Sequence, residues 1–312
     1  MTDNTITQSV DDFDWFGQNG IFMPMINDTG RNIFYKQAIE SSVAGRVVCD
    51  IGAGTGFLSV LAAKAGAKKV FAVEMDPGRA KFVQSNIEKV GLSDTIEVVS
   101  GNFLDLDVQA DIYVSETIGT QIFNENIIEI ADHARQYRGT FLPGKFEVYA
   151  KVYKNHPIFI CCQNGSDAFE FQPDIAIDPA FESTINQVFQ QQHPLGNTLY
   201  RANSINKLFR MLPVFTDLKL ETVYTTDTIT VDLNQPVNVN DIQLTIPGEV
   251  LKKVPQLCVV LFWRAIYNDL VMDSNDTWWG NVSKIITKQQ RNGDNNVVTW
   301  YDPVLGDWRF SF

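Results

Sequence analysis

Two glutamates, Glu116 and Glu125, stand in one short segment, SETIGTQIFNE, which follows an apolar run of strand type. Two carboxylates held close together repel each other, and one of them takes up a proton unless a cation lies between them. A guanidinium group is the cation whose planar fork of N–H donors matches carboxylate oxygens. Gly119, between the two glutamates, would allow the chain to reverse and bring them side by side. The segment therefore predicts a site for a guanidinium group.

A glycine-rich loop lies upstream, at Gly52, Gly54 and Gly56, between a strand-type run and a run of helical period. Glycines at such a turn let the backbone reverse tightly and approach a ligand without a Cβ in the way. Glu74 ends the next strand, about 20 residues downstream, where a carboxylate can bind the ribose hydroxyls of a nucleoside. Dinucleotide-binding folds carry similar loops, and a tight turn that binds no ligand has the same pattern.

Asp50, directly before the glycines, separates these alternatives. A dinucleotide fold needs the amides at a helix N-terminus for a pyrophosphate, and a negative side chain there would repel it. S-adenosylmethionine carries a sulfonium and an ammonium instead of phosphates, so a site for it tolerates the aspartate. The segment favours S-adenosylmethionine as the cofactor, with S-adenosylhomocysteine as its product.

The glycine loop and the glutamate pair together favour methyl transfer to a guanidino nitrogen. A guanidinium has a pKa above about 12 and is a poor nucleophile, because its lone pairs are delocalised. Two carboxylates can hold it in line with a sulfonium methyl and stabilise its charge. Glu125, or Glu116 through a water molecule, would take the proton that must leave. The alternative is that Glu125 only stabilises the N-terminus of the helix that follows it.

The order of the predicted strands and helices indicates which elements hold these residues in place. From Asp28 to about 140, runs of strand type alternate with runs of helical period, which is typical of βαβ units and a parallel sheet. The alternation stops near Leu142, and later runs are mostly of strand type, with a bend near Asn268 that predicts a hairpin. The predicted fold class is an α/β Rossmann-like methyltransferase sheet followed by a mostly β barrel-like domain. The predicted divisions are a flexible N-terminal segment at 1–20, an S-adenosylmethionine-binding Rossmann-like domain at 21–144, and a β-barrel-like substrate domain at 145–312.

Composition excludes several classes of function. The net charge of −12 argues against nucleic acid or an anionic membrane as a partner. It suits a cationic substrate, although solubility alone also explains it. No stretch approaches the roughly 18 apolar residues of a membrane span, and the acidic N-terminus does not resemble a targeting signal. The cysteines and histidines lack metal-site spacing, so no metal is expected. A cytoplasmic location is the expectation.

The chain resembles the protein arginine methyltransferases, clearly over about residues 20–150 and loosely beyond. The stretch VVCDIGAGTGFLSVLAAKAGAKKVFAVE resembles the donor-binding core of that family, and SETIGTQIFNE resembles its double-glutamate loop. MINDTGR, from Met25 to Arg31, resembles a third family motif. The resemblance implies an arginine-containing protein or peptide as the substrate. A free guanidino metabolite, or arginine in a small natural product, is the alternative.

The resemblance also assigns roles to residues. Arg31 is expected to pair with the carboxylate of the donor, Glu74 to hold its ribose, and the two glutamates of the loop to grip the acceptor. The family usually forms homodimers through a helical arm, and residues 163–212 are expected to be that arm or a substrate cap. The other residues expected at the donor site are Met25, Asp50, Gly52, Gly54, Gly56, Met75, Asn102 and Phe103. Those expected to line the substrate pocket are Phe16, Met25, Trp278 and Trp279.

Departures from the family pattern bear on the substrate. Trp278 stands where the family has a histidine that pairs with the equivalent of Asp28, so this pair cannot form. The entry segment contains Phe13, Trp15 and Phe16 in place of tyrosines, and Leu104 stands where many members have a carboxylate. Trp278 and Trp279 would narrow the acceptor pocket, or they are ordinary core aromatics. These departures leave the donor-binding residues unchanged.

Overall fold

The structure is a computed structural model that describes residues 28–119, 121–154, 221–252, 256–274, 277, 282–287 and 295–311. The described residues form two compact units. The first unit contains those up to 147, within 230–238 and within 264–278, and the second contains the others. The predicted segments 1–20 and 163–212 lie outside the described residues, so the predicted division into domains stays a prediction.

A five-stranded parallel sheet forms the centre of the first unit, with the strand order β3-β2-β1-β4-β5. Its strands are β1 (Val47–Ile51), β2 (Lys69–Glu74), β3 (Ile96–Ser100), β4 (Ile112–Ser115) and β5 (Thr140–Leu142). β1 pairs with β2 on one side and with β4 on the other, and Ile51 lies opposite Ser115. The strand order reverses between β1 and β4, and ligands of open parallel sheets bind at the carboxyl ends of strands at such a point.

Among the described residues, four helices accompany this sheet: α1 (Thr29–Glu40), α2 (Phe57–Lys64), α3 (Pro77–Lys89) and α4 (Ile127–Arg135). Two of them begin at an aspartate whose side chain accepts a hydrogen bond from a backbone amide, Asp28 for α1 and Asp76 for α3. Apolar residues at helical spacing face the sheet and are buried, including Ile39, Ala62 and Val83. The predicted alternation of strands and helices is therefore confirmed.

The remaining strands are mostly antiparallel pairs. They are β6 (Lys145–Lys154), β7 (Glu221–Thr225), β8 (Ile229–Asp232), β9 (Gln243–Ile246), β10 (Gln256–Tyr267), β11 (Leu270–Asp273), β12 (Val282–Thr287), β13 (Val297–Asp302) and β14 (Asp307–Ser311), with the short helix α5 (Gly248–Lys252) after β9. β10 and β11 form the predicted hairpin, and Asn268 adopts a φ of 52° at its turn. A parallel sheet flanked by helices, followed by mostly antiparallel strands, confirms the predicted fold class.

None of the helices in the described part of the chain has the length and apolar composition of a membrane-spanning segment. Within the same residues, no cluster of three or more histidine, cysteine or acidic side chains is arranged to hold a metal ion.

Candidate active site

The glycine loop between β1 and α2 adopts a backbone that other residues rarely tolerate. Gly52, Gly54 and Gly56 have φ values of 76°, 57° and 81°, in the left-handed region that favours glycine. A Cβ on Gly56 would lie 3.2 Å from Cγ1 of Val83, and a Cβ on Gly52 would lie 3.3 Å from Cγ2 of Thr117. The loop therefore needs glycine both for its conformation and for its close packing.

Glu74, at the end of β2, joins the glycine loop to the start of α3. One of its oxygens, Oε2, accepts a hydrogen bond from the Gly54 amide at 3.0 Å. The other, Oε1, accepts from the Asp76 amide at 3.0 Å and lies 3.2 Å from Nε of Arg79. The residue is 3% exposed, so its carboxylate is fixed beside the loop, where a ribose was expected.

Asp50 faces α2 and not the solvent. Its Oδ2 accepts a hydrogen bond from the Ser59 hydroxyl at 2.6 Å. Among the residues that the structure describes, its Oδ1 has no hydrogen-bond partner. Burial raises the pKa of Asp50 to about 6, although the bonds from Ser59 act in the opposite direction. Ser59, which holds this carboxyl group, was not anticipated from the sequence.

The segment after β4 forms the reversal expected at Gly119. The Ile122 amide donates to the Gly119 carbonyl at 2.9 Å, and the two residues form an antiparallel bridge. Ser115, before the reversal, is anchored by the Tyr35 hydroxyl, which donates to its carbonyl at 2.9 Å. A Cβ on Gly119 would lie 3.1 Å from Cγ of Glu125. The reversal therefore brings Glu125 back towards the end of β4.

Glu116 holds a guanidinium group supplied by the chain itself. Its Oε2 accepts from Nη2 of Arg31 at 2.8 Å and from Nε at 3.2 Å. The pKa of Glu116 is raised to about 8, mainly by burial; Arg31 acts in the opposite direction, and the charges of Glu125 and Asp28 add to the rise. The surroundings of Glu116 thus accommodate a guanidinium between acidic side chains.

Arg31 lies on α1, and its expected partner was the carboxylate of the donor. In the structure, Nη1 donates to Oδ1 of Asn32 at 2.9 Å, and the other side of the guanidinium faces Glu116. Its Cζ lies 5.5 Å from the centre of the Tyr35 ring, within the range of a cation–π contact. Tyr35 was not anticipated, although it lies one helical turn after Arg31 and on the same face.

Glu125 lies on the exposed side of the reversal. Protein atoms around its carboxyl group raise its pKa, and the Arg79 guanidinium lowers it in turn. Glu125 precedes Asn126, the N-cap residue of α4, and the acidic residue in the first turn is Glu129. Because Glu125 directly precedes the N-cap, it is close to the positive end of the helix dipole, and the helix-stabilising alternative stays open beside the predicted catalytic role.

Comparison with known proteins identifies methyltransferases that are similar to this chain. The family model described as ribosomal protein L11 methyltransferase matches residues 36–140, which contain the glycine loop and both glutamates. A probable histone-arginine methyltransferase 1.3 of Arabidopsis thaliana is 32% identical over 69% of this chain and 42% of its own length. An arginine N(omega)-methyltransferase of Streptomyces achromogenes subsp. streptozoticus is 32% identical over 43% of this chain and 40% of its own length. The chain is a divergent relative of the protein arginine methyltransferases.

Solved structures of protein arginine methyltransferases share the fold. A structure of PRMT6 covers 96% of this chain and 99% of its own, with a TM-score of 0.62 and 17% identity. The Trypanosoma brucei PRMT1 enzyme-prozyme heterotetrameric complex with AdoHcy covers 92% of this chain and 88% of its own, with a TM-score of 0.59 and 20% identity. The predicted resemblance is therefore confirmed, although the chain spans less than half the length of the two curated relatives.

The remaining residues assigned by resemblance to this family lie in varied surroundings. Asn102 caps the short 3-10 helix Phe103–Asp105 by accepting from the Leu104 amide at 3.2 Å. The Phe103 ring is buried against those of Tyr113 and His133, with centroids 5.9 and 5.0 Å away. Met75, beside Glu74, is 65% exposed. Their roles stay predictions. The expected residues Phe16, Met25, Trp278 and Trp279 lie outside the described residues.

We expect Gly119→Ala to destabilise the reversal that carries the two glutamates. A Cβ at this position would lie 1.9 Å from Oδ1 of Asn124, the oxygen that accepts a hydrogen bond from the Gln121 amide at 3.0 Å. Either this bond breaks or the backbone shifts, at a cost of about 1–3 kcal/mol. Urea unfolding measures the loss, and Gly119→Ala/Asn124→Ala should recover part of it. A single variant as stable as the wild type would contradict the described geometry.

Proposed function

We propose that the protein is an S-adenosylmethionine-dependent methyltransferase that acts on a guanidino nitrogen of arginine in a protein or peptide. The observation that carries the proposal is the guanidinium of Arg31 on Oε2 of Glu116, at the carboxyl end of β4. Oε1, the other oxygen of Glu116, has no hydrogen-bond partner in the described part of the chain, and the charges of Glu125 and Asp28 also act at this place, so a second guanidinium could donate to Oε1. The curated relatives named for arginine methylation support the same chemistry.

The residues around the glycine loop fit S-adenosylmethionine. The three glycines have positive φ values and no side chains, so the loop backbone can come close to a ligand, and Glu74 offers a fixed carboxylate to ribose hydroxyls. Arg31 would receive the carboxylate of the bound donor. The donor supplies an electrophilic methyl group when it is bound. A related structure with AdoHcy, that of the Trypanosoma brucei complex, supports this assignment.

Glu116 and Glu125 would act on the acceptor by position and charge. Glu116, buried on the reversal, would orient the guanidinium through charge-assisted hydrogen bonds. Holding the acceptor nitrogen in line with the methyl group removes much of the entropic cost of the reaction. Glu125 is exposed and would accept the proton and pass it to solvent. Neither step requires a metal ion.

A free guanidino metabolite, or arginine within a small natural product, is the second candidate substrate. The named arginine N(omega)-methyltransferase of Streptomyces is one of the similar proteins. The chain also has Trp278 in place of the family histidine and Phe16 in a segment where the family has tyrosines. These differences fall on the acceptor side and favour an acceptor smaller than a protein.

Labelled S-adenosylmethionine, incubated with a panel of acceptors, tests the proposal. The panel contains free arginine, an arginine-rich peptide and the same peptide with lysine at every arginine. We expect methyl incorporation into a guanidino nitrogen of free arginine or of the arginine-rich peptide, located by mass spectrometry, and none into the lysine peptide. The ratio between the first two acceptors distinguishes the two substrate classes. No incorporation into either would favour a non-catalytic scaffold that binds the donor.

We also propose that the protein is a cytoplasmic homodimer. The usual assembly of the family supports the dimer, and the name of the heterotetrameric Trypanosoma brucei complex indicates that a relative assembles. The net charge of −12 supports the absence of nucleic acid among its partners. Light scattering coupled to size-exclusion chromatography would measure the mass, and a monomer at all concentrations would contradict the dimer.

A further inference from the structure

The two oxygens of the Glu116 carboxyl group lie in unlike surroundings. Oε2 accepts both hydrogen bonds from Arg31. Oε1 is also buried, but it has no hydrogen-bond partner within the described part of the chain. The side chain as a whole is only 4% exposed. A buried oxygen that carries charge without donors is costly, and a proton on that oxygen removes most of the cost.

The charges that face Glu116 come from several elements, and acids predominate among them. α1 and its cap contribute Arg31 and Asp28, and the reversal contributes Glu125. Asp50, on β1, is close enough to Arg31 to interact with its charge. Burial is the largest influence on Glu116 and raises its pKa to about 8, because the single guanidinium offsets only part of the loss of water.

We propose that Glu116 carries a proton on Oε1 when no acceptor is bound, and that a guanidinium acceptor displaces this proton when it binds. The O–H bond at Oε1 breaks, the proton passes to solvent, and an N–H of the acceptor donates to the oxygen in its place. Arg31 keeps its bonds to Oε2 throughout. The inference rests on the proposed function, from which it takes the guanidinium acceptor.

Cationic and neutral ligands should then bind with opposite pH dependences. The affinity for a guanidinium should rise about tenfold per pH unit until Glu116 is ionised, and then level off. A ureido ligand such as citrulline presents a carbonyl oxygen that accepts a hydrogen bond from the protonated carboxyl group. The affinity for citrulline should fall as the pH rises through the range in which the affinity for the guanidinium levels off.

Carbon-13 NMR of the ligand-free protein, labelled at glutamate carboxyl carbons, tests the first half of the inference. The resonance absent from Glu116→Gln identifies Glu116, and Glu129→Gln serves as a control on an exposed glutamate of α4. We expect a titration midpoint near pH 8, and a higher one in Arg31→Met. A midpoint close to the ordinary value of about 4.3 would overturn the proposal. This measurement is independent of methyl transfer.

Calorimetry tests the second half, with arginine amide as the probe and protein saturated with S-adenosylhomocysteine. Titrations at pH 7 in buffers with different ionisation enthalpies count the protons exchanged. We expect close to one proton released per probe bound at pH 7 and almost none at pH 9.5. Release of no protons at pH 7, or failure of the probe to bind at any pH, would overturn the displacement step. If methyl transfer failed but Glu116 titrated near pH 8, only the proposed function would fall.

Discussion

Methyl transfer should fall on the order of 10²- to 10³-fold when Glu116 is replaced by glutamine. Glutamine has the same shape, and its carbonyl oxygen can still accept from Arg31, so the fold and the donor site should survive. It cannot ionise, and its amide nitrogen presents N–H donors where the guanidinium acceptor needs an acceptor atom. The loss should therefore appear in turnover and acceptor affinity. Initial rates with a saturating donor measure it.

Glu125→Gln should lower methyl transfer as well, because an amide cannot take the proton that leaves the guanidinium. Glu129→Gln is the matched control, since Glu129 is an exposed glutamate in the first turn of α4, shortly after Glu125. S-adenosylhomocysteine should bind all three variants with an affinity within about threefold of the wild type, because none of the residues is assigned to the donor. Full activity in both Glu116→Gln and Glu125→Gln would refute the assigned roles.

The affinity for S-adenosylhomocysteine should fall on the order of 10²-fold in Glu74→Gln. In the wild type, both carboxylate oxygens accept from backbone amides, those of Gly54 and Asp76. Glutamine replaces one of these oxygens with an NH2 group, which faces an amide donor instead of bonding to it. One buried amide loses its partner, the glycine loop loses part of its anchor, and the ribose loses an acceptor.

Calorimetry with S-adenosylhomocysteine measures this loss, and Glu97→Gln provides the control. Glu97 lies on the adjacent strand β3, is exposed and pairs with Lys69 at the surface, where an ion pair contributes little. The control should bind as tightly as the wild type. Equal affinity in Glu74→Gln and the wild type would show that Glu74 does not hold the donor.

Most of the fold, and both loops of the site, could be predicted from local patterns in the sequence. The glycine loop, the hairpin at Asn268 and the reversal at Gly119 each depend on neighbouring residues whose conformational preferences are readable from the chain. The observed backbone agrees at all three places, with positive φ values at Asn268 and in the glycine loop. The positions of Glu74 and Glu116 at strand ends follow from the alternation of strands and helices.

Contacts between distant segments were not predictable in the same way. Arg31 and Glu116 are 85 residues apart and meet because α1 packs near the end of β4. A pairing of this kind depends on the packing of whole elements, for which the sequence carries no local signal. The same holds for Phe103, whose ring packs against a strand and a helix that follow it. Asp50 is a different case, because Ser59 follows it closely in the chain, in the first turn of α2 after the glycine loop, and could have been considered as its partner.

A crystal structure of the complex with S-adenosylhomocysteine and arginine amide would show whether both glutamates bind the acceptor guanidinium. We predict that nitrogens of the bound guanidinium lie within about 3.2 Å of carboxyl oxygens of both Glu116 and Glu125, with one nitrogen directed at the sulfur. Glu116 would then contact two guanidinium groups, that of Arg31 and that of the ligand. A guanidinium bound elsewhere, or two carboxyl groups too far apart to share it, would contradict the account.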